Sequence, residues 1–371
     1  MENVINGKSG ASNWKIIIVL LLFLPFLFIA LRSIDSHAIK LGIPSAIVFI
    51  LFAAVTYASV TKKDYKLLLG VFLIMPLFLS ACCAFADYNF FNEGVGAKFQ
   101  KQLLPSLENL LGTDYEQRDI LSTIVIGGMH AYIIAIIATG IALIIGIPIG
   151  LSLASDGDMQ DGKGMLFIVK VLFIRGLKLL GMAVTQLFEI VPQLFFVIIV
   201  IGVYNLWASD KPDTRLVSHY SVPLAAFAIG MSSLPSIARL VENKVSQLKR
   251  DRFVTALRSS NVNGFKITFY NILWNNCFAE IMIQASFIFG ATILIETGLG
   301  YAFEVGFGEI GTGNYLSWGQ ILAESRKAIL FGREVWIIAS PIVITIMSIL
   351  GINILGDCLA KYLRNDRGHN D

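Results

Sequence analysis

The chain has 371 residues, of which 56% are hydrophobic and 15% charged. A soluble domain averages about 45–50% apolar and about 25% charged residues, so there are too few charges here to coat soluble domains of this total length. Disorder, a collagen-like fibre and a small disulfide scaffold are excluded on the same figures, and a net charge of +3 does not point to nucleic acid. The four cysteines make no framework: Cys82 and Cys83 are adjacent in an apolar run, and Cys277 and Cys358 stand singly among hydrophobic residues.

A bilayer core of about 30 Å needs roughly 20 apolar residues as helix. Eight runs of that kind are expected, near 16–32, 42–60, 67–87, 121–154, 182–205, 221–238, 278–298 and 335–356. The first is either a retained helix or a signal peptide, since Lys8 and Lys15 precede it and Ser36-His37-Ala38 resembles a cleavage site. With the N-terminus inside, the inner segments hold 19 of the 29 Lys and Arg residues and the outer segments 10, so both termini are expected in the cytoplasm. Seven of the 19 lie in the segment after the sixth run.

Prolines 25, 44, 76, 148, 192, 223, 235 and 341 fall in or at the ends of these runs. Each internal proline frees a carbonyl that lipid cannot satisfy, which fits either a transport path or the general tolerance of membrane helices for proline. The polar residues expected at depth are His130, Gln186, Glu189, Gln193 and Gln284. An ionisable group at the bilayer centre costs about 2.5–3.5 kcal/mol on insertion scales, so Glu189, with Pro192 and Gln193 close behind, is a pathway candidate. A packing role for the same carboxyl group stays open.

No GxxxxGK[ST] phosphate loop occurs, so any ATP chemistry belongs to a partner, and no cofactor is expected. The four histidines are scattered and no metal site is expected. No nucleophile motif suggests an enzyme.

Residues 239–275 form the basic inner loop. Phe253, Val254, Ala256 and Leu257 make a short helical stripe ringed by Arg250, Arg252 and Arg258; Ser259 to Gly264 break it, and a second helix begins at Phe265. Two readings stand: an amphipathic helix held by anionic lipid, or a knob for a soluble partner whose carboxylates pair with the arginines.

The loop resembles the EAA loop of ABC-importer permeases, and its flanks resemble the dipeptide/oligopeptide/nickel subfamily. Leu111-Gly112-Thr113-Asp114-Tyr115-Glu116-Gln117-Arg118-Asp119-Ile120-Leu121-Ser122 is similar to that subfamily's LGTDxxGRDxxS block. Phe253 to Arg258 and Asn271 to Asn275 resemble YVxAAR and HILPN. Ser317-Trp318-Gly319-Gln320-Ile321-Leu322-Ala323-Glu324-Ser325-Arg326 resembles SWGxMLAEGR. The match covers about 110–363, and it departs from the pattern at Asn261, Trp274 and Gln117, where the subfamily has Gly, Pro and Gly. The first 66 residues add two spans that a six-span member lacks.

The resemblance implies an all-α polytopic membrane protein whose type I importer-like core, 121–363, follows an extra membrane region, 1–66, and a first core span with its periplasmic segment, 67–120; a tail, 364–371, closes the chain. It implies as partners a second permease, two ATPase subunits, a periplasmic or lipid-anchored binding protein and the bacterial inner membrane. Arg252, Phe253, Ala256, Leu257, Arg258, Asn261 and Gly264 would couple to the ATPases. Gly112, Thr113, Asp114, Arg118, Asp119, Trp318, Gly319, Glu324 and Arg326 would form the periplasmic motif. Peptide is the implied cargo, with nickel complexes and antimicrobial peptides as alternatives. An ion-coupled transporter and a non-transport scaffold are the rivals from other classes.

Overall fold

In the computed structural model the described residues are 65–86, 104–106, 109, 111–114, 117–154, 165–209, 214–260, 262, 264, 266–303, 317–325 and 335–365. The two expected N-terminal spans and the 155–164 loop lie outside them. The elements are α1 (Tyr65–Ala86), α2 (Ile120–Leu153), α3 (Met165–Ile190), α4 (Gln193–Ser209), α5 (Thr214–Leu248) and α6 (Arg252–Ser259). A π-wound segment (Lys266–Cys277) then leads into α7 (Phe278–Phe303), followed by α8 (Trp318–Glu324) and α9 (Val335–Asn365). Among the described residues the only β pairing is an isolated bridge between Thr113 and Asp119. The chain is an all-helical, multi-pass membrane protein.

Among the described residues, four stretches are long and apolar enough to cross a bilayer: Ile120–Leu153, Pro223–Leu248, Lys266–Ala302 and Trp336–Arg364. The expected single span at 182–205 is not one rod: Lys178–Ile190 and Gln193–Tyr204 meet at 93° across the break at Val191 and Pro192. Pro192 cannot donate a backbone hydrogen bond, which makes a break there easier but does not by itself require one. Pro76, Pro148, Pro223, Pro235 and Pro341 all sit inside helices that continue. The inner loop also starts later than expected, because α5 runs on to Leu248 and absorbs residues 239–248.

Close backbone approach holds the centre together. A Cβ at Gly150 of α2 would lie 2.5 Å from the Ala238 carbonyl oxygen of α5, and one at Gly230 of α5 would lie 2.8 Å from the Ala138 carbonyl oxygen of α2. In a bilayer, where lipid is as apolar as the helix faces, such small-residue contacts let van der Waals packing drive association. One hydrophobic cluster joins Ile120, Ile124 and Ile126 of α2 to Ile293 of α7, Trp318 of α8 and Ile337 of α9. A second, at the opposite end of α2 and α5, gathers Val241, Val245, Val254, Ile267, Ile272 and Ile281.

Candidate functional site

Helix α6 has eight residues, too few to be stable alone, since isolated helices below about 12–15 residues are marginal in water. It is held by one face. Val254 is 1% exposed and sits in the second cluster, whereas Phe253, Ala256 and Arg258 face outward and Leu257 is half-buried. The continuous stripe expected from sequence is therefore split: Val254 anchors α6 to its own membrane domain, and Phe253 and Ala256 are left for something else. Arg252 is also exposed, and Arg258 occupies the last turn, where a cation complements the helix dipole. The chain leaves α6 through backbone bonds from Ser260 N to the Ala256 oxygen and from Val262 N to the Leu257 oxygen. Gly264 is exposed, with nothing within 4 Å of an added Cβ. Asn261 lies outside the described residues.

The base of α6 is tied to the ends of the long helices. Lys249 Nζ donates to the Ala154 carbonyl at 2.7 Å, across the end of α2. On the far side the chain unwinds into π turns from Lys266 to Cys277, where Asn276 Nδ2 donates to the Asn271 carbonyl at 2.7 Å. A π stretch marks a break in the regular ladder and is frequent at functional sites.

At the other end of the bundle, the two expected periplasmic blocks come together. Residues 112–114 and 117–119 form a tight cap on α2: Arg118 N and Nε each donate to Asp114 at 2.8 Å, Ile120 N donates to the Gly112 carbonyl at 3.1 Å, and Thr113 pairs with Asp119. Asp119 is the N-cap, accepting from Ser122 N at 2.8 Å and Ser122 Oγ at 2.7 Å. Gly112 and Gln117 have φ of 76° and 69°. Gln117 thus occupies a left-handed position that glycine adopts at no steric cost. Trp318, fully buried, donates its indole N–H to the Ile124 carbonyl at 3.0 Å and so locks α8 against α2. Gly319 packs directly on the backbone of α7, where an added Cβ would overlap the Thr297 carbonyl. Glu324 ends α8, and Arg326 lies outside the described residues.

The residues expected to line a path are dispersed over three elements. Gln186 and Glu189 are exposed on α3, Pro192 is at the break, Gln193 opens α4, and Gln284 is half-buried on α7. Two of them brace the break. Gln193 Nε2 donates to Ser233 Oγ of α5 at 2.7 Å, and Arg239 of α5 donates from Nε to Glu189 Oε1 at 2.9 Å while also pairing with Glu242 at 3.0 Å. Glu189 is thus ion-paired with Arg239.

Sequence reading passes over Glu296, which is fully buried near the outer end of α7. Thr297 Oγ1 donates to its Oε2 at 3.4 Å, Ser317 at the N-cap of α8 also bonds its side chain, and Oε1 has no hydrogen-bond partner. It is the sole ionisable residue between Glu280 and Tyr301, and a tally of charges inside each apolar run finds it. Among the described residues no group of His, Cys, Asp and Glu is placed to hold a metal.

The described residues thus form a helical bundle of a multi-pass membrane protein, with a short amphipathic helix at one end and a self-capped motif at the other. The chain is similar in sequence to dipeptide and oligopeptide transport permease proteins. It is 26% identical over 309 residues to the dipeptide transport system permease protein DppC of Alkalihalophilus pseudofirmus, covering 81% of this chain and 86% of that one. It is 29% identical over 258 residues to the di/tripeptide permease protein DppC of Pseudomonas aeruginosa, covering 68% and 71%, and 25% identical over 313 residues to the oligopeptide permease protein OppC of Lactococcus lactis, covering 81% and 90%. No family model matches the chain. Among solved structures, an inward-facing MetNI methionine ABC transporter aligns with a TM-score of 0.47 and 16% identity over 65% of this chain and 96% of that one.

Proposed function

We propose that the chain is a permease subunit of an ATP-driven importer in the bacterial inner membrane, carrying di- or oligopeptides inward, with both termini in the cytoplasm. The single observation that carries this reading is α6: one side is rooted in the membrane domain through Val254, and the other presents Phe253, Ala256 and half-buried Leu257 between arginines. The names of the relatives supply the cargo class.

Two ATPase subunits would each receive one such helix, one from this chain and one from a second permease, and a periplasmic or lipid-anchored binding protein would deliver the peptide. Val254 shares its cluster with residues of α5, of the π segment and of α7. Displacing α6 therefore loads α5 and α7 directly, and α5 is locked to α2 through Gly150 and Gly230. Closure of the ATPases would move these helices together as rigid bodies, switching access between two discrete states. The chain supplies pathway and lever, and ATP hydrolysis belongs to the partner.

The test is uptake of a radiolabelled dipeptide by vesicles holding the complete complex, with ATP inside the compartment that corresponds to the cytoplasm. Uptake that requires ATP and is competed by unlabelled peptides supports the reading. Uptake driven by an ion gradient without ATP, or competed by a nickel chelate and not by peptides, overturns it or its cargo.

A further inference from the structure

Helix α5 leads directly into α6, but α9 is not one of its packing neighbours. Among the described residues α5 and α9 share no extended face, and each packs on α7 instead. In turn, α9 is joined closely to α1. A Cβ at Gly351 of α9 would overlap the Ile74 backbone of α1, and Gly70 of α1 sits against Ile354 and Leu355 of α9. Motion that reaches α9 therefore reaches α1.

The start of α7 faces both ways. Ile281 belongs to the cluster that holds Val254 of α6, whereas Ala279 and Met282 pack with Ala360 and Leu363 in the last turns of α9. Between them stands Glu280, in the first turn of α7, with its side chain 21% exposed. Arg364, in the last turn of α9, donates from Nη2 to Glu280 Oε1 at 3.3 Å. Lys244 Nζ of α5 approaches the same oxygen at 3.7 Å, and the next residue, Val245, is another member of the Val254 cluster. Glu280 Oε2 is buried and makes no hydrogen bond, so these two cations are what answers the carboxylate. A carboxylate in the first turn of one helix and a cation in the last turn of another each complement a helix dipole, which favours both placements.

Partly exposed ion pairs add little to overall stability, and the Lys244 and Arg364 side chains are 41% and 53% exposed. What this cluster sets is relative position. Two cations on separate helices share one oxygen only while α5, α7 and α9 keep one register. Loss of the carboxylate would also leave Lys244 and Arg364 as like charges facing each other across α7.

We propose that Glu280 is a positioning residue that passes displacement of α6 on to α9: by clasping Lys244 of α5 and Arg364 of α9 on one oxygen, it makes α5, α7 and α9 move as one body, with α1 behind α9. This role rests on the reading of α6 as the lever of an ATP-driven importer. Without the carboxylate, closure of the ATPases still shifts α5, but α9 and α1 lag behind it.

The test uses the complete complex in vesicles and compares the unaltered chain with Glu280→Gln, which keeps the shape of the side chain and removes its charge. Two quantities are read: hydrogen–deuterium exchange of Ala360 to Arg364 without nucleotide, and peptide carried per ATP hydrolysed. Glu280→Gln should speed that exchange several-fold and lower the transport-to-hydrolysis ratio several-fold while hydrolysis itself continues. A variant that merely folded less well would lose transport and hydrolysis in proportion and keep the ratio. The inverted triple variant, Glu280→Lys with Lys244→Glu and Arg364→Glu, again sets one charge between two opposite ones and should recover much of both quantities. Unchanged exchange in Glu280→Gln, an unchanged ratio, or a lowered ratio that the triple variant does not raise overturns the proposal. If the unaltered complex carries peptide without hydrolysing ATP, or carries no peptide, the importer reading is what fails, and the role of Glu280 falls with it; that outcome shows before any variant is compared.

Discussion

Val254→Ala separates the two faces of α6. The side chain is 1% exposed and packs among Val245, Ile267 and Ile272. Truncation removes two methyl groups at about 0.8 kcal/mol each, and the surrounding aliphatic side chains close only part of the gap, so docking weakens by about 2 kcal/mol. At about 1.4 kcal/mol per factor of ten, the undocked population of α6 rises about thirty-fold. Because eight residues do not hold a helix unaided, undocking and unwinding coincide. Hydrogen–deuterium exchange of the full chain in nanodiscs reads this directly: amides of Thr255 to Ser260 should exchange about thirty-fold faster, with α2 and the membrane part of α5 unchanged. Phe253→Ala, at a side chain 37% exposed, should alter exchange there by no more than a few-fold. If Val254→Ala leaves the exchange of 255–260 as it was, α6 is not held by its buried face and the reasoning fails.

Gly319→Ala places a methyl group against backbone that cannot rotate away, with the Thr297 carbonyl carbon at 2.7 Å and Tyr301 N at 2.8 Å. We expect about 1–3 kcal/mol of destabilisation, read as a lower unfolding temperature and as Trp318 fluorescence newly open to an aqueous quencher. Gly202→Ala, where nothing lies within 4 Å, is the control and should change neither. Reversing Glu189 to arginine sets it against Arg239 and should lower the yield of monodisperse protein on size exclusion; adding Arg239→Glu restores an opposite pair and should recover much of that yield. Equal losses in the single and double variants would show that the pair does not brace the break.

The apolar runs bounded by charge lead directly to α1, α2, α5, α7 and α9 and, as one run, to the end of α3 with α4, while the 252–260 stripe leads to α6; no run announces α8. What composition conceals is how a run is divided. Hydropathy continues through 182–205, and proline is no guide to the break, since Pro148, Pro235 and Pro341 sit inside continuous helices while Pro192 does not. The difference is tertiary: Arg239 and Ser233, about 40–50 positions away in the chain, hold the two sides of the break at a right angle. Burial is equally hidden within α6, where Phe253 and Val254 are both apolar neighbours and only the position of the second cluster turns the smaller one inward. Gln117, noted in the sequence only as a departure from the motif's glycine, has a φ of 69°, and only the structure shows that this position is left-handed. Glu296 escaped because it sits two residues from the end of its apolar run, where a charge reads as a boundary; burial beneath α8 makes it an interior group.

The account rests on α6 being the surface that receives an ATPase. The direct measurement is affinity purification of the full chain from the native membrane, with quantification of any co-purifying ATPase that contains a phosphate loop. The unaltered chain should bring down such an ATPase, and Ala256→Asp or Leu257→Asp should lose it while the chain still inserts in the membrane. An ATPase retained equally by the aspartate variants, or absent from the unaltered chain, would contradict the account.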